Sequence, residues 1–172
     1  MPSGAANIVL NPGFETGSFD PWTTSGNDAF ANVDTFMPHS GTFAAFFSAE
    51  GSPAFLSQDL ATTPGGTYDL AFWLANEGSG SSFFSVSWNG AEIFSLTDAN
   101  LFPYQLFEFP ALTSTGASTT LQFAFRHEGS FWDLDDVSAD ELSVNPIPEP
   151  STLGLLLIGV LGLAAFRRKF AA

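Results

Sequence analysis

The residues with the clearest potential for chemistry are carboxylates near the two ends of the chain's folded body. Glu15 follows the first apolar stretch, and Asp135 and Asp136 lie in the last one. If these stretches form neighbouring strands, the carboxylates approach each other and supply the oxygen ligands that a hard cation such as Ca²⁺ prefers. Adjacent side chains of a regular strand point to opposite faces, so only one of the two aspartates should bind. The sequence predicts a structural Ca²⁺ site, with solvated carboxylates as the alternative.

A second set of residues has the chemistry needed to bind carbohydrate. Sugar rings stack on exposed aromatic rings, and their hydroxyls need fixed hydrogen-bonding partners. Alternation within residues 67–76 and 119–126 places Trp73, Gln122 and Arg126 on outward faces. These three are the predicted glycan-binding residues. In the alternative, Trp73 covers a second apolar layer and Arg126 pairs with a nearby acid.

Motifs for catalysis are absent from the sequence. His39 and His127 are the only imidazoles, and neither an HExxH pair nor a GxSxG elbow occurs. The chain has no cysteine, which excludes disulfides and thiolate metal sites. Paired carboxylates can hydrolyse glycosides, but among 18 acidic residues some pair always looks suggestive. The sequence therefore predicts a protein that is not an enzyme.

Charge and aromatic content describe a folded, acidic body. The chain has 18 acidic and 4 basic residues, and Arg126 is the only basic residue before position 167, so residues 1–166 carry a formal charge of −17. Such a body repels phosphates, which excludes nucleic acid as a partner, and it suits cation binding or an exported protein. With 20 Phe, 4 Trp and 45% hydrophobic residues, the chain can build a core.

The C-terminal residues 145–172 differ from the body in composition. No charge occurs from Ser151 to Phe166, and a basic cluster of Arg167, Arg168 and Lys169 follows directly. The apolar side chains fall on every side of a helical wheel, which is typical of a helix in lipid. The run is just shorter than the roughly 17 to 25 residues of a membrane-crossing helix, and basic residues stay on the cytoplasmic side. The sequence predicts one hydrophobic helix that crosses a membrane at about 151–166, with a buried C-terminal helix as the alternative.

The body itself reads as short strands between Gly, Pro, Asn and Ser residues, which indicates a sandwich. Ten strands are predicted, near residues 7–10, 28–35, 43–48, 53–60, 67–76, 83–88, 91–96, 104–109, 119–126 and 131–142. Alternation predicts inward side chains at Tyr68, Leu70, Phe72 and Leu74 and at Leu121, Phe123 and Phe125. Asn89-Gly90 is the strongest hairpin signal. It predicts the pairs Trp88 with Ala91, Val86 with Ile93 and Phe84 with Ser95.

The two ends of this body resemble those of a known class of module. Asn7-Ile-Val-Leu-Asn-Pro-Gly-Phe-Glu15-Thr-Gly, followed by Trp22, is similar to the opening of carbohydrate-binding jelly-roll modules of the galactose-binding-like class. Phe131-Trp-Asp-Leu-Asp-Asp-Val-Ser138 is similar to their final strand. The resemblance spans about residues 7–144 and implies a jelly-roll β-sandwich. It also implies a structural calcium at the acidic site, with backbone carbonyls near Ser40 and Gly41 as further ligands.

The C-terminal residues resemble a sorting signal. Pro148-Glu149-Pro150, a Leu/Gly-rich segment and Arg167-Arg168, in this order, are similar to the PEP-CTERM signal of Gram-negative bacteria. The resemblance implies export, temporary anchoring, cleavage by an exosortase, and release to the cell envelope or an exopolysaccharide matrix. Residues 1–6 contain no complete signal peptide, but Gly4-Ala5-Ala6 is similar to the end of one, so we expect the natural start upstream.

Together these features predict an all-β jelly-roll sandwich over residues 7–144 and a sorting signal with one hydrophobic helix over 145–172. The function predicted first is that of a non-enzymatic envelope or matrix protein processed by an exosortase. The alternative is a glycan-binding module with an exposed aromatic and polar face and exopolysaccharide as its ligand. An open groove lined by Trp73 and Arg126 would favour this alternative, because a structural matrix protein needs no groove.

Overall fold

A computed structural model describes residues 6–142. The predicted sorting signal and its hydrophobic helix over 151–166 lie outside this range. Within it, all regular structure is β, which confirms the predicted class for the body. The ten strands are β1 Thr23–Gly26, β2 Ala31–Asp34, β3 Ala44–Phe47, β4 Ala54–Ala61, β5 Thr67–Asn76, β6 Ser82–Trp88, β7 Ala91–Thr97, β8 Phe102–Thr113, β9 Ser118–His127 and β10 Trp132–Glu141. No helix within residues 6–142 has the length and apolarity needed to span a bilayer.

The strands form two five-stranded antiparallel sheets. Sheet I has the order β1-β4-β9-β6-β7, and sheet II has the order β2-β3-β10-β5-β8. From β3 onwards the chain crosses repeatedly between the sheets, which produces the four-strand orders β3-β10-β5-β8 and β4-β9-β6-β7. This is the strand arrangement of a jelly roll.

Aromatic side chains from both sheets fill the core between them. The inward positions predicted for β5 and β9 are buried: Tyr68, Leu70, Phe72, Leu74, Leu121, Phe123 and Phe125. Phe47 of sheet II stacks on Phe125 of sheet I with ring centroids 3.9 Å apart, and Phe72 meets Phe123 edge-on at 5.1 Å. Such pairs stabilise a fold by about 0.5–1.5 kcal/mol beyond the burial of their area.

The N-terminal part of the body differs from the strand prediction. Residues 7–10 make a single bridge to β10 instead of forming a strand. The buried Gln58 side chain holds this segment, because it accepts a hydrogen bond from the Leu10 N–H at 2.8 Å and donates one to the Leu10 carbonyl at 2.9 Å. Conversely, Thr23–Gly26 forms the unpredicted edge strand β1. Its Thr-Thr-Ser-Gly sequence has no apolar alternation, so backbone pairing with β4 alone defines it.

The β6–β7 hairpin confirms the predicted turn and corrects the predicted register. Asn89 and Gly90 have φ angles of 52° and 79°, as a type I′ turn requires, and Trp88 pairs with Ala91. The later pairs are shifted by one residue: Val86 with Phe94 and Phe84 with Leu96, instead of Ile93 and Ser95. An irregularity beside Val86 leaves an extra residue on β7, and a bulge of this kind moves every pair beyond it.

Candidate functional site

The three residues predicted to bind glycan do not lie together. Trp73 is on β5 of sheet II, whereas Gln122 and Arg126 are on β9 of sheet I. Outward side chains of the two sheets lie on opposite faces of the sandwich, so the predicted groove of Trp73 and Arg126 is not formed. Arg126 instead donates hydrogen bonds to Glu128 at 3.0 Å and to the Ser81 hydroxyl at 3.2 Å. Strand alternation identified the outward side chains correctly but carries no information about which sheet a strand joins.

Trp73 belongs to an aromatic cluster on the outer face of sheet II. The His39 ring stacks on Trp73 with centroids 3.8 Å apart and an interplanar angle of 17°, and Tyr104 contacts His39 edge-on at 5.3 Å. His39 therefore covers one face of the indole. Burial, together with the carboxylates of Asp133 and Asp135, raises the pKa of Tyr104 well above its ordinary value. The phenol stays protonated and donates to the Met37 carbonyl at 2.8 Å.

A bulge in β10 brings the two adjacent aspartates to one place. Asp136 has a φ of 49°, and the pairing of β10 with β5 shifts register between Asp135 and Ser138. A Cβ atom added to Gly13 would lie 3.4 Å from Asp135 Oδ1 and 3.3 Å from Asp136 Oδ1. The expectation that these side chains point to opposite faces is wrong, because it assumed a regular strand.

These acids hold the turn that precedes β3. Asp135 Oδ2 accepts hydrogen bonds from the backbone N–H groups of His39 and Ser40 at 2.9 and 3.1 Å. Asp136 accepts one from the Ser40 hydroxyl at 2.8 Å, and its other oxygen lies 2.7 Å from His39 Nδ1. Ser40 thus joins the predicted site, through its N–H and hydroxyl.

Glu15 holds the other half of the same turn. Its carboxylate accepts hydrogen bonds from the N–H groups of Thr42 and Phe43 at 2.9 and 3.0 Å. It also lies against Gly41, whose φ of 64° and lack of a side chain permit this approach. The structure therefore brings all five predicted metal-site residues to one turn, where backbone and hydroxyl groups satisfy much of the acceptor capacity of their carboxylates.

The fit of this cluster to Ca²⁺ is partial. Asp135 and Asp136 each place one carboxylate oxygen close to Gly13, on the side where another residue would carry a Cβ atom, and oxygen is the correct ligand type. Burial raises the pKa of Asp135 to about 6, the Ser40 N–H opposes this rise, and the charge of Asp136 adds to it. However, within residues 6–142 no three His, Cys, Asp or Glu side chains are arranged to hold a metal ion. The arrangement can therefore offer a cation two side-chain ligands, one from each of the adjacent aspartates.

A second acidic site, which no sequence motif indicated, lies on the outer face of sheet II. A cavity of about 220 Å³, here called the acidic pocket, is lined by three acids and three phenylalanines: Asp34, Glu77, Asp133, Phe36, Phe46 and Phe131. Asp133 is only 3% exposed, and its Oδ2 has no hydrogen-bond partner among the described residues. Burial raises the pKa of Asp133 to about 8, and the neighbouring Glu77 and Asp34 add to the rise. Alternation in β10 could have predicted that Asp133 and Asp135 face the same side of the sheet. The sequence does not show that Asp34 and Glu77, from other elements, lie next to Asp133.

The fold of the body is similar to that of solved carbohydrate-binding modules. A CBM61 module solved with β-1,4-galactotriose is similar, with a TM-score of 0.67, 24% identity, and coverage of 80% of this chain and 100% of that chain. The CBM22-1 xylan-binding domain of Paenibacillus barcinonensis Xyn10C is similar with a TM-score of 0.61 and 13% identity, and the match covers 84% of this chain and 99% of that chain. A family 16 carbohydrate-binding module is similar with a TM-score of 0.55 and 18% identity, and the match covers 77% of this chain and 99% of that chain. Identities this low define the fold alone.

The C-terminal residues carry a recognised signal. Residues 146–169 match the PEP-CTERM protein-sorting motif. This match confirms the resemblance of the tail, as the solved structures confirm that of the body. No curated protein matches the chain.

Proposed function

We propose that this chain is a non-enzymatic glycan-binding protein that is sorted to the bacterial cell surface through its PEP-CTERM tail. The observation that carries the proposal is the outer face of sheet II, where aromatic rings and oxygen acceptors lie side by side. Carbohydrate recognition needs this combination, because ring CH groups stack on aromatic faces while hydroxyls require fixed acceptors. The similarity to solved carbohydrate-binding modules supports the same role.

The two outer faces of the sandwich differ in a way that favours sheet II. On sheet I, the outward Arg126 is already paired with Glu128. On sheet II, Phe36 is 78% exposed and stands at the acidic pocket, and Trp73 and Tyr104 are half-buried in the neighbouring cluster. Apolar surface that remains accessible beside unpartnered acceptors is typical of a binding site.

The sorting part of the proposal rests on the tail. The PEP-CTERM motif marks a protein that an exosortase sorts to the cell envelope. We propose that the helix predicted over 151–166 anchors the chain in the membrane, with Arg167, Arg168 and Lys169 on the cytoplasmic side. Cleavage near Pro148-Glu149-Pro150 then releases the body to the surface or to an exopolysaccharide matrix.

A glycan array tests the binding function. The full chain, kept soluble in mild detergent, should bind a defined group of glycans. Phe36→Ala should lose this binding, because Phe36 is an exposed ring at the proposed site. The control is Gln122→Ala, whose residue faces outward on sheet I; it should bind as the wild type does. If the wild type binds no glycan, the glycan-binding proposal is overturned, and the structural matrix protein is the alternative that remains.

A further inference from the structure

We infer that the acidic pocket binds a primary ammonium group, so that the glycan recognised on sheet II carries amino sugars with free amines. This inference rests on the proposed function and specifies its ligand. The pocket brings together three carboxyl groups, from Asp34, Glu77 and Asp133, and none of its six lining residues is basic. When its carboxyls are ionised, the pocket offers only hydrogen-bond acceptors and binds a ligand that donates.

The central acceptor is a buried oxygen without a partner. Asp133 is only 3% exposed, and its Oδ2 receives no hydrogen bond within the described part of the chain. Buried polar groups are normally paired, so an unpartnered carboxylate oxygen in a cavity indicates a missing donor. Glu77 lies within hydrogen-bonding reach of Asp133, and two ionised carboxylates only accept, so without a ligand the acids can be satisfied only by a proton that they share. An ammonium group that enters the pocket can replace this proton and supply both the donors and the positive charge.

In the neighbouring cluster around Asp135, the chain itself supplies the hydrogen-bond donors to the carboxylate. Asp135 is two residues from Asp133 in β10, and its oxygens accept hydrogen bonds from the N–H groups of His39, Ser40 and Asp136. Those bonds come from the chain itself. The acidic pocket has the same kind of acid without such donors, which distinguishes a binding site from a structural clamp.

The walls of the pocket select the kind of cation. Phe46 and Phe131 meet edge-on with centroids 5.7 Å apart, and Phe36 is largely exposed. Aromatic faces attract ammonium groups. In contrast, Ca²⁺ takes six to eight oxygen ligands, which a half-aromatic wall cannot provide. A neutral sugar could donate hydroxyls, but it would leave the charge of the clustered acids uncompensated.

An amino sugar combines the required features in one residue. Its ammonium carries three donors and a positive charge for the carboxyls, and its ring offers CH groups to the phenylalanines. The cavity of about 220 Å³ has the volume of about seven waters, which gives room for a group of several heavy atoms. The body's strongly negative charge also attracts a polymer of such residues over longer distances.

A matched pair of oligosaccharides tests the inference. We would titrate the full chain by calorimetry with a fully de-N-acetylated β-1,4-glucosamine hexamer and with its fully N-acetylated counterpart. The two differ only at the nitrogen, which is charged in the first and neutral in the second. The free amine should bind at least about tenfold more tightly, as is typical of hydrogen bonds to charged groups.

Charge variants locate the site. Asp133→Asn and Glu77→Gln should each weaken binding of the free-amine hexamer about tenfold or more. Glu92→Gln removes one exposed charge from β7 on sheet I and should bind as the wild type does. Far-ultraviolet circular dichroism checks that each variant is folded. If Glu92→Gln weakens binding as much as the pocket variants do, bulk charge explains the affinity and the inference is overturned.

The remaining outcomes separate this inference from the proposed function. Equal affinity for the two hexamers, or displacement of the free-amine hexamer by millimolar Ca²⁺ but not by the same ionic strength of NaCl, overturns the amine assignment. Glycan binding to the array then still supports the proposed function. If neither hexamer binds and the array is also blank, both proposals fail.

Discussion

Asp133 and Asp135 lie two positions apart in β10, and their carboxyl groups have different hydrogen-bonding partners. Asp135 accepts hydrogen bonds from backbone N–H groups of the turn before β3, whereas Asp133 lies in the acidic pocket with an unpartnered oxygen. Burial raises the pKa of both carboxyls, to about 6 for Asp135 and about 8 for Asp133. The backbone donors account for part of this difference, because they stabilise the ionised form of Asp135.

The raised pKa of Asp133 predicts that the protein loses stability as the pH rises. In the unfolded chain this group titrates near a pKa of about 3.9, so between about pH 4 and about pH 8 the folded state binds the proton more tightly. The stabilisation from the protonated Asp133 is complete below the unfolded pKa of about 3.9 and is lost as the pH rises through the folded pKa of about 8. The melting temperature should therefore fall across this window, and Asp133→Asn should reduce the fall.

A pH series of thermal melts followed by circular dichroism measures this effect. Asp135 contributes in the lower part of the window, up to about 6, and keeps its contribution in the variant. The difference in slope between Asp133→Asn and the wild type should therefore extend over the whole window from about pH 4 to about pH 8, and between about pH 6 and about pH 8 it should no longer be accompanied by a slope from Asp135. Asp59→Asn, at an exposed position of β4, is the matched control and should keep the wild-type slope. An Asp133→Asn variant with that same slope would show that Asp133 is ionised throughout.

Calcium binding at the two adjacent aspartates remains a prediction, with a direct thermal test. A cation that binds only the folded state stabilises it by about 2.7 kcal/mol at a hundred times its Kd. Millimolar Ca²⁺ should therefore raise the melting temperature relative to EDTA. Because Asp135 and Asp136 converge beside Gly13, either Asp135→Ala or Asp136→Ala should abolish the shift. Asp28→Ala, in the loop before β2, should keep it, and identical wild-type curves in calcium and EDTA would contradict the prediction.

At the scale of the elements, the sequence predicted what local patterns determine. The period of two in β5 and β9 identified their buried faces, and Asn89-Gly90 identified a hairpin. The one-residue shift in β7 was not predictable, because a bulge is decided by cross-strand packing. The same limit applies to β10, where the φ of 49° at Asp136 rotates one aspartate toward the other.

Sheet assignment sets the larger limit on predicting the site. Trp73 and Arg126 both read as outward, yet the crossovers place β5 and β9 in different sheets. The acidic pocket was missed for a related reason. Its acids come from β2, β10 and the residue that follows β5, and only the fold brings them together.

Gln58 is the side chain of sheet I that anchors the segment before β1, which gives a prediction at this scale. Gln58 makes two hydrogen bonds to the backbone of Leu10 from a position that is only 6% exposed. Gln58→Ala should lower the free energy of unfolding by about 1–3 kcal/mol, the cost of leaving such groups unpaired. Urea denaturation measures the change. Gln122→Ala, from the neighbouring strand β9, is the control and should change stability by less than about 0.5 kcal/mol; equal losses in both variants would contradict the anchoring role.

At the scale of the whole molecule, the body and the tail are recognised through different kinds of information. The order of the Pro-Glu-Pro motif, the apolar run and the basic cluster is local, so the sequence alone predicted the sorting signal that the motif match confirms. The role of the body depends on which side chains share a face, and that required the fold. The acidic charge of the body suits passage to the surface, because the basic residues that resist translocation are concentrated after position 166.

The tail gives a prediction for the intact protein in cells. The Pro148-Glu149-Pro150 motif lies before the apolar run, so replacing it with three alanines should leave membrane insertion intact but prevent release by an exosortase. Replacing the basic cluster 167–169 with glutamine should instead weaken retention or scramble orientation, because basic residues that flank an apolar run are expected to stay on the cytoplasmic side. Both variants, with a signal peptide placed upstream of Asn7, are compared with the wild type by fractionation of an exosortase-bearing host. Gln122→Ala is the control for a change in the body and should be released normally. If the triple-alanine variant is also released at the wild-type level, the motif is not read by an exosortase and the tail acts as an ordinary membrane anchor.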